Sequence, residues 1–242
     1  MTGGARGAGT ASDDRSGTPP TDRVRVRRLA ERGRYDRTTV EAILDEGYVC
    51  HVGLAGDTGP IVIPTAYGRD GDELYLHGAP ANATLRGAST GVEICVTVTL
   101  VDGLVLARSA FHHSINYRSV VIVGRAAEVT GTEEKRRALS VVVDHIVPGR
   151  SVDARAPTDN ELRATRVLRL PLDEASAKIR TGGPKDDPED MDLAVWAGVL
   201  PLRTAAGPPL ADTGRPASME APDYLVDYIR PTHRSAMGDD GV

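Results

Sequence analysis

Aromatic residues are scarce: the 242-residue chain holds one Phe, one Trp and seven Tyr. Single-strand nucleic-acid binders stack bases on such rings, so that class is a poor fit. A basic excess is also missing. Lys and Arg number 29 against 34 Asp and Glu, giving a formal net charge of −5, so no concentrated cationic face meets a phosphate backbone. No window approaches 18 uncharged apolar residues, the length a membrane-spanning helix needs. The first 22 residues, mostly Gly, Ala, Thr, Ser and Pro, lack the apolar stretch of a secretory signal. A cytoplasmic protein with no membrane or nucleic-acid partner is expected. Neither a G-x-S-x-G elbow, a Walker loop nor a G-x-G-x-x-G after a strand occurs, which speaks against a serine hydrolase, a nucleotide-triphosphatase and a Rossmann domain. The two cysteines, Cys50 and Cys95, sit in apolar runs without metal-ligand spacing. They read as reduced, buried thiols, with a disulfide the alternative.

What is present is strand. Residues 48–54, 61–67, 73–77, 92–101, 104–107 and 119–129 are rich in Val, Ile, Thr and Tyr. Turn residues separate them, at Gly56-Asp57-Thr58-Gly59, Arg69-Asp70-Gly71-Asp72 and Val101-Asp102-Gly103. Such short connections mean antiparallel neighbours, hence a meander or barrel. Residues 92–101 are apolar on nearly both faces, as in a strand inside a barrel or at a dimer interface. Capping-box spacing at Thr38/Glu41, Thr130/Glu133 and Thr158/Glu161 predicts three short helices, the first stopped by Gly47, the second ended by Pro148-Gly149, the third running to about Arg166. Residues 167–172 and 175–180 return to strand pattern.

Three regions follow from this pattern: a disordered tail over 1–22, one domain over 23–203, and a Pro/Gly-rich linker and tail over 204–242 in which residues 224–229 dock at the end. The basic run from Arg23 to Arg34 reads as a solvated arm, with an acidic partner or a phosphate the alternative.

Several segments in order carry a resemblance. They are Ile61 to Tyr67 with its Pro64-Thr65-Ala66-Tyr67, Leu74 to Ala79 with His77-Gly78-Ala79, Val105 to Ser114, Asn116 to Val121, Glu174 to Gly182, and Trp196 to Pro201. From about Arg34 to Leu202 the chain resembles the pyridoxamine 5'-phosphate oxidase-like flavoproteins, in particular their nitroimidazole-resistance (Nim-type) branch. The resemblance implies a mainly β (β+α) fold, a six-stranded antiparallel split β-barrel with short flanking helices. It also implies a homodimer binding FMN in a groove between subunits. Pro64, Thr65, Ala66 and Tyr67 would offer backbone contacts to the isoalloxazine edge. His77, Gly78 and Ala79 correspond to the phosphate loop, followed by Asn82 and Thr84 where relatives carry a Ser and a basic residue. The charge-assisted contribution is therefore missing there, and Arg86, or Arg118 from a second subunit, is the candidate to supply it. Tyr117, Arg118 and Ser119 match a segment that reaches the flavin, and Trp196 stands where relatives place a ring-stacking residue.

Lys178 and Arg180 alternate along a strand and so share a face that suits an anion. His51 lies in a region where Nim-type proteins carry a functional histidine, and is the candidate for substrate binding. His112 and His113 are adjacent and would face opposite sides of a strand; metal binding by either needs a third ligand, and the neighbouring sequence offers none, so no metal is expected. No catalytic residue is assigned. The resemblance implies an FMN-dependent oxidoreductase acting on a small molecule. Alternatives are a non-catalytic flavin- or haem-binding module and a deazaflavin-dependent reductase. A true pyridoxamine phosphate oxidase would demand a fuller basic pattern for two phosphorylated ligands.

Overall fold

The computed structural model describes residues 17–56, 59–81, 85, 87, 91–212, 214, 220–226, 228 and 230. Its strands are β1 (Gly33–Arg34), β2 (Val49–Gly56), β3 (Gly59–Asp70), β4 (Glu73–Gly78), β5 (Glu93–Leu106), β6 (Ser114–Arg125), β7 (Ala127–Glu128), β8 (Arg166–Pro171), β9 (Ala175–Arg180) and β10 (Gly198–Pro201). The helices are α1 (Arg37–Glu46), α2 (Thr132–Ile146), α3 (Arg150–Asp153), α4 (Asp159–Arg163) and α5 (Asp223–Val226).

All ten strands form one antiparallel sheet, in the order β1-β9-β6-β5-β2-β3-β4-β8-β7, with β10 added to the far end of β5. The fold is mainly β, as the strand pattern indicated, with ten strands among the described residues where the resemblance implied six. Among the described residues no pairing joins the ends β1 and β7, so the ladder does not close. The sheet instead curls around its own apolar face. Val52, Ile94, Val96, Val98, Val120 and Ile122 meet Leu74, Leu76, Leu168 and Leu170 from the other end, and α1 adds Val40, Ile43 and Leu44. Period-2 alternation dictates this, because every second side chain on each strand falls in the interior.

A smaller core forms on the outer side, where α2 lays Ala138 and Val142 on Tyr75, Val129 and Val167. Gly68 makes that seat. A Cβ there would lie 2.8 Å from both the N and Cα of Val142, so only glycine lets the helix backbone approach the strand so closely.

Local chemistry departs from the sequence reading in four places. Asp36, not Thr38, caps α1, its carboxylate accepting from the Thr39 N–H at 2.8 Å. Helix α2 starts at Thr132 behind Gly131, with no side-chain cap. The Val101-Asp102-Gly103 segment is a bulge within one continuous β5 rather than a turn, because an extra residue in one strand can be accommodated by a local kink. β6 begins at Ser114, five residues earlier than expected, since Ser114, Ile115, Asn116 and Tyr117 extend the ladder with β5 past that bulge. The Thr158/Glu161 capping box is present, although α4 stops at Arg163. Gly47 does end α1, its N–H reaching the Ile43 carbonyl at 3.1 Å.

The basic run is folded onto the sheet. Arg23 pairs with Glu93 and Glu174, Arg25 and Arg27 with Asp22, and Val24 is buried. Residues 202–212 are exposed and lack regular structure, yet the chain returns. Tyr228 donates to the Ile146 carbonyl at 3.0 Å, and Arg230 bonds to the carbonyls of Glu46, Gly47 and His145 at the ends of α1 and α2. Of the disordered tail expected over 1–22, residues 1–16 lie outside the described residues, and Asp22 opens a 3-10 turn, Asp22–Val24. Among the described residues no helix is long and apolar enough to cross a membrane.

Candidate functional site

Cross-strand registry decides which predicted residues share a face, because residues directly opposite in an antiparallel ladder project to the same side. One row on the outer face runs Pro64, His51, Thr97, Val121, Ser176. The next holds Thr99, Ser119 and Lys178, and a third holds Val101, Tyr117 and Arg180. Val49 opposite Ala66 extends the same face. His77 follows Tyr75, which opposes Gly68, so it projects to this side too. Thus Pro64, Ala66, His77, Tyr117, Ser119, Lys178, Arg180 and His51 share one face of the sheet, contributed by five strands, β2, β3, β4, β6 and β9.

Thr65, Tyr67 and Arg118 have the opposite parity. Tyr67 is fully buried and donates to the Leu44 carbonyl at 2.5 Å, with its ring 4.4 Å from that of His145. Its side chain anchors α1; only its backbone is left for a ligand. Thr65 Oγ1 turns to the Ala66 carbonyl. Arg118 donates to Glu46 at 2.5 and 2.8 Å and to Asp102 at 2.9 and 2.7 Å. A guanidinium gripped by two carboxylates has no fork left for a phosphate within its own chain. The bulge explains why: Asp102 is its extra residue, turned to the Arg118 side.

Arg180 is different. It is only 6% exposed and bonds to neutral acceptors, the Asn116 side chain and the carbonyls of Gly182 and Gly183. Burial, with Arg32 nearby, holds its guanidinium below the ordinary value. A buried cation with no carboxylate partner among the described residues is the local feature best suited to an anion. Lys178 donates to the Arg28 carbonyl at 3.0 Å and Ser119 to the Lys178 carbonyl.

At the end of β4, His77 Nδ1 is buried with no hydrogen-bond partner, and burial pushes the imidazole below its ordinary pKa. Such an orphaned polar atom next to Gly78 and Ala79 is a ready contact for a bound group. Asn82, Thr84 and Arg86 lie outside the described residues. Trp196 stands two residues before Gly198, which pairs with Leu106, and is 67% exposed. Cys50 and Cys95 are both free, one buried and one half-buried, on opposite faces of the sheet. A shallow recess lined by Pro20, Tyr35, Val40 and Leu172 among others touches none of the predicted site residues.

Sequence reasoning missed one grouping. His112 ends a 3-10 turn (Ala110–His112) and does not sit in a strand. Its Nε2 lies 3.1 Å from Asp187, and Asp190 is close by. The partners come from 75 residues downstream, and nothing local to His112 signals them.

With this geometry in place, the comparisons are informative. Residues 36–179 match the sequence model of the pyridoxamine 5'-phosphate oxidase family. No curated protein sequence matches the chain. Among similar solved structures, the flavocytochrome Anf3 from Azotobacter vinelandii is 40% identical, covering 86% of this chain and 96% of its own with a TM-score of 0.81. The FAD and haem binding protein from Mycobacterium smegmatis is 36% identical over 80% of this chain and 95% of its own, with a TM-score of 0.77. A candidate 5-nitroimidazole antibiotic resistance protein from Bacteroides thetaiotaomicron is 27% identical over 60% of this chain and 84% of its own, with a TM-score of 0.51. The match spans every strand from β2 to β8 and all but the last residue of β9, the strands that build the outer face. The chain belongs to the pyridoxamine 5'-phosphate oxidase family.

Proposed function

We propose that the chain is a flavin-nucleotide-binding split-barrel protein, an FMN- or FAD-dependent oxidoreductase acting on a small molecule, with the outer sheet face as its cofactor platform. One observation carries this reading. Pro64, Ala66, His51, His77, Tyr117, Ser119, Lys178 and Arg180 share that face, in a chain whose relatives include a flavocytochrome and an FAD and haem binding protein.

The residues fit such a ligand in three respects. The backbone of β3 at Pro64 and Ala66 is a rigid edge for a planar ring. The unpartnered His77 Nδ1 is available to a polar group beside Gly78. Arg180 supplies a buried positive charge without a carboxylate. The flavin, when bound, supplies the electron-transfer chemistry; the chain's own residues orient it and set the access of a reaction partner. Arg118 has no part in this, because Glu46 and Asp102 hold it.

The platform is open on one side, and a second copy of the chain supplies the other wall. Leu200 opposite Leu104 opposite Ile115 forms an exposed apolar row on the same outer face, a natural seam for a two-fold contact.

A second reading adds haem to the flavin. Similarity to the flavocytochrome over 86% of the chain favours it, and among the described residues His51 and His77 are the imidazoles with no hydrogen-bond partner to occupy them.

The absorption spectrum of the purified protein, with chromatography of the released cofactor, tests both. Flavin bands with released FMN or FAD support the first reading, and a Soret band beside them supports the second. A colourless protein that retains neither added cofactor refutes both.

A further inference from the structure

The 3-10 turn Ala110–His112 meets the loop 181–197 through residues to which the flavin reading gives no role. His112 Nε2 lies 3.1 Å from an Asp187 carboxylate oxygen, and ligand atoms of His112, Asp187 and Asp190 all lie within 4.8 Å of one another. Asp187 stands just before a single 3-10 turn, Pro188–Asp190, and Asp190 ends it. At three residues per turn, positions three apart come round to the same side. The loop is pinned independently of these ligands: Asp186, its side chain 1% exposed, accepts from the Arg108 backbone N–H and Nη1 at 2.9 Å each.

Charge is unbalanced here. Among the described residues no Lys or Arg pairs with Asp187 or Asp190, and Glu189 and Asp192 beside them are equally without an ion pair. Two carboxylates held together with only an imidazole between them repel each other unless a cation intervenes. The donor set also points to the kind of cation. One imidazole with two carboxylates suits a transition metal, whereas an all-oxygen set would suit calcium or magnesium. Ligand atoms about 2.1 Å from a shared ion stand roughly 3–4 Å apart, so a small contraction of the observed group suffices. Asp187 is 60% exposed at its side chain, which leaves an open route and room for water ligands.

We infer that His112, Asp187 and Asp190 form a three-ligand site for a divalent transition-metal ion, zinc or manganese, that clasps the loop 181–197 to the β5–β6 connection. The inference is independent of flavin binding. The test uses the untagged full-length protein with its cofactor retained, stripped with a chelator and titrated with zinc chloride or manganese chloride alone by calorimetry. The free manganese signal in electron paramagnetic resonance gives a second readout. The expected result is one ion per chain, with affinity reduced at least about tenfold in His112→Ala and in Asp190→Asn and unchanged in Glu189→Gln. None of these positions is buried, so the melting temperature of the metal-free protein should stay unaltered, which separates ligand loss from unfolding. No saturable binding overturns the inference. Equal weakening by Glu189→Gln reduces the site to a diffuse acidic patch and also overturns it, and calcium competing on equal terms overturns the transition-metal assignment.

Discussion

Arg118 and Glu46 are joined by two hydrogen bonds, Nη1 to Oε2 at 2.5 Å and Nη2 to Oε1 at 2.8 Å, which tie the C-terminal turn of α1 to the middle of β6. Asp102 grips the same guanidinium, and all three side chains are at most 20% exposed. Arg118→Ala leaves two half-buried carboxylates facing each other. A loss of about 2–4 kcal/mol is expected after allowance for partial exposure, read as a lowered urea midpoint. Full stability with lost flavin would instead make Arg118 a ligand residue.

Gly68→Ala should cost about 1–3 kcal/mol, because the new methyl meets helix backbone, which cannot swing away as a side chain can. Thermal melts check this. A variant as stable as the parent would mean that α2 does not rest on β3 as described.

Burial holds the His145 imidazole down, to about 4 against 6.5 unperturbed, and the neighbouring Arg230 acts in the same direction. The unfolded chain therefore takes up a proton first as pH falls. This contribution is fully present above pH 6.5, declines between about 6.5 and 4, and reaches at most about 3 kcal/mol. Chemical denaturation at intervals across that range should show the decline. His145→Gln should flatten it, and Arg230→Ala should narrow it by raising the folded-state pKa. A slope identical in His145→Gln would assign the acid sensitivity to other groups.

Trp196 is two-thirds exposed, and its removal costs the fold little. Trp196→Ala should therefore melt like the parent while retaining less flavin after gel filtration. Unchanged flavin stoichiometry would remove Trp196 from the site.

Ile115→Glu places a charge in the apolar row with Leu104 and Leu200, all three exposed in the single chain. Light scattering should show the parent as a dimer and the variant as a monomer with depleted flavin. A monomeric parent with full flavin would overturn the two-copy platform.

Much of the sheet was legible in the sequence, since alternation and turn residues are local signals. The β3–β4 hairpin at Gly71, with Asp70 opposite Glu73, is one such case, and the Thr158/Glu161 box is another. What misled was also local. Asp102-Gly103 carries the composition of a turn but is absorbed as a bulge, because the strand continues to pair on both sides of it. Thr38 with Glu41 has box spacing, yet Asp36 lies two residues earlier and satisfies the helix start first. The site was legible only in part. Which residues of β3, β4, β6 and β9 share a face follows from parity once registry is known. Glu46 stands 72 residues from Arg118 and Asp187 75 residues from His112, and no periodicity encodes contacts made by folding the sheet around.

The kink in β5 has an unusual arithmetic. Val101 and Leu104 both face outward although three positions separate them, because Asp102 occupies a place that the partner strand does not match. Excising that one residue would leave every remaining side chain of β5 on its present side, with Gly103 falling naturally between Val101 and Leu104. The ionic clasp on β6 is thus an insertion laid into a strand whose alternation is complete without it, and the wall of the sheet and its charge lock can vary separately.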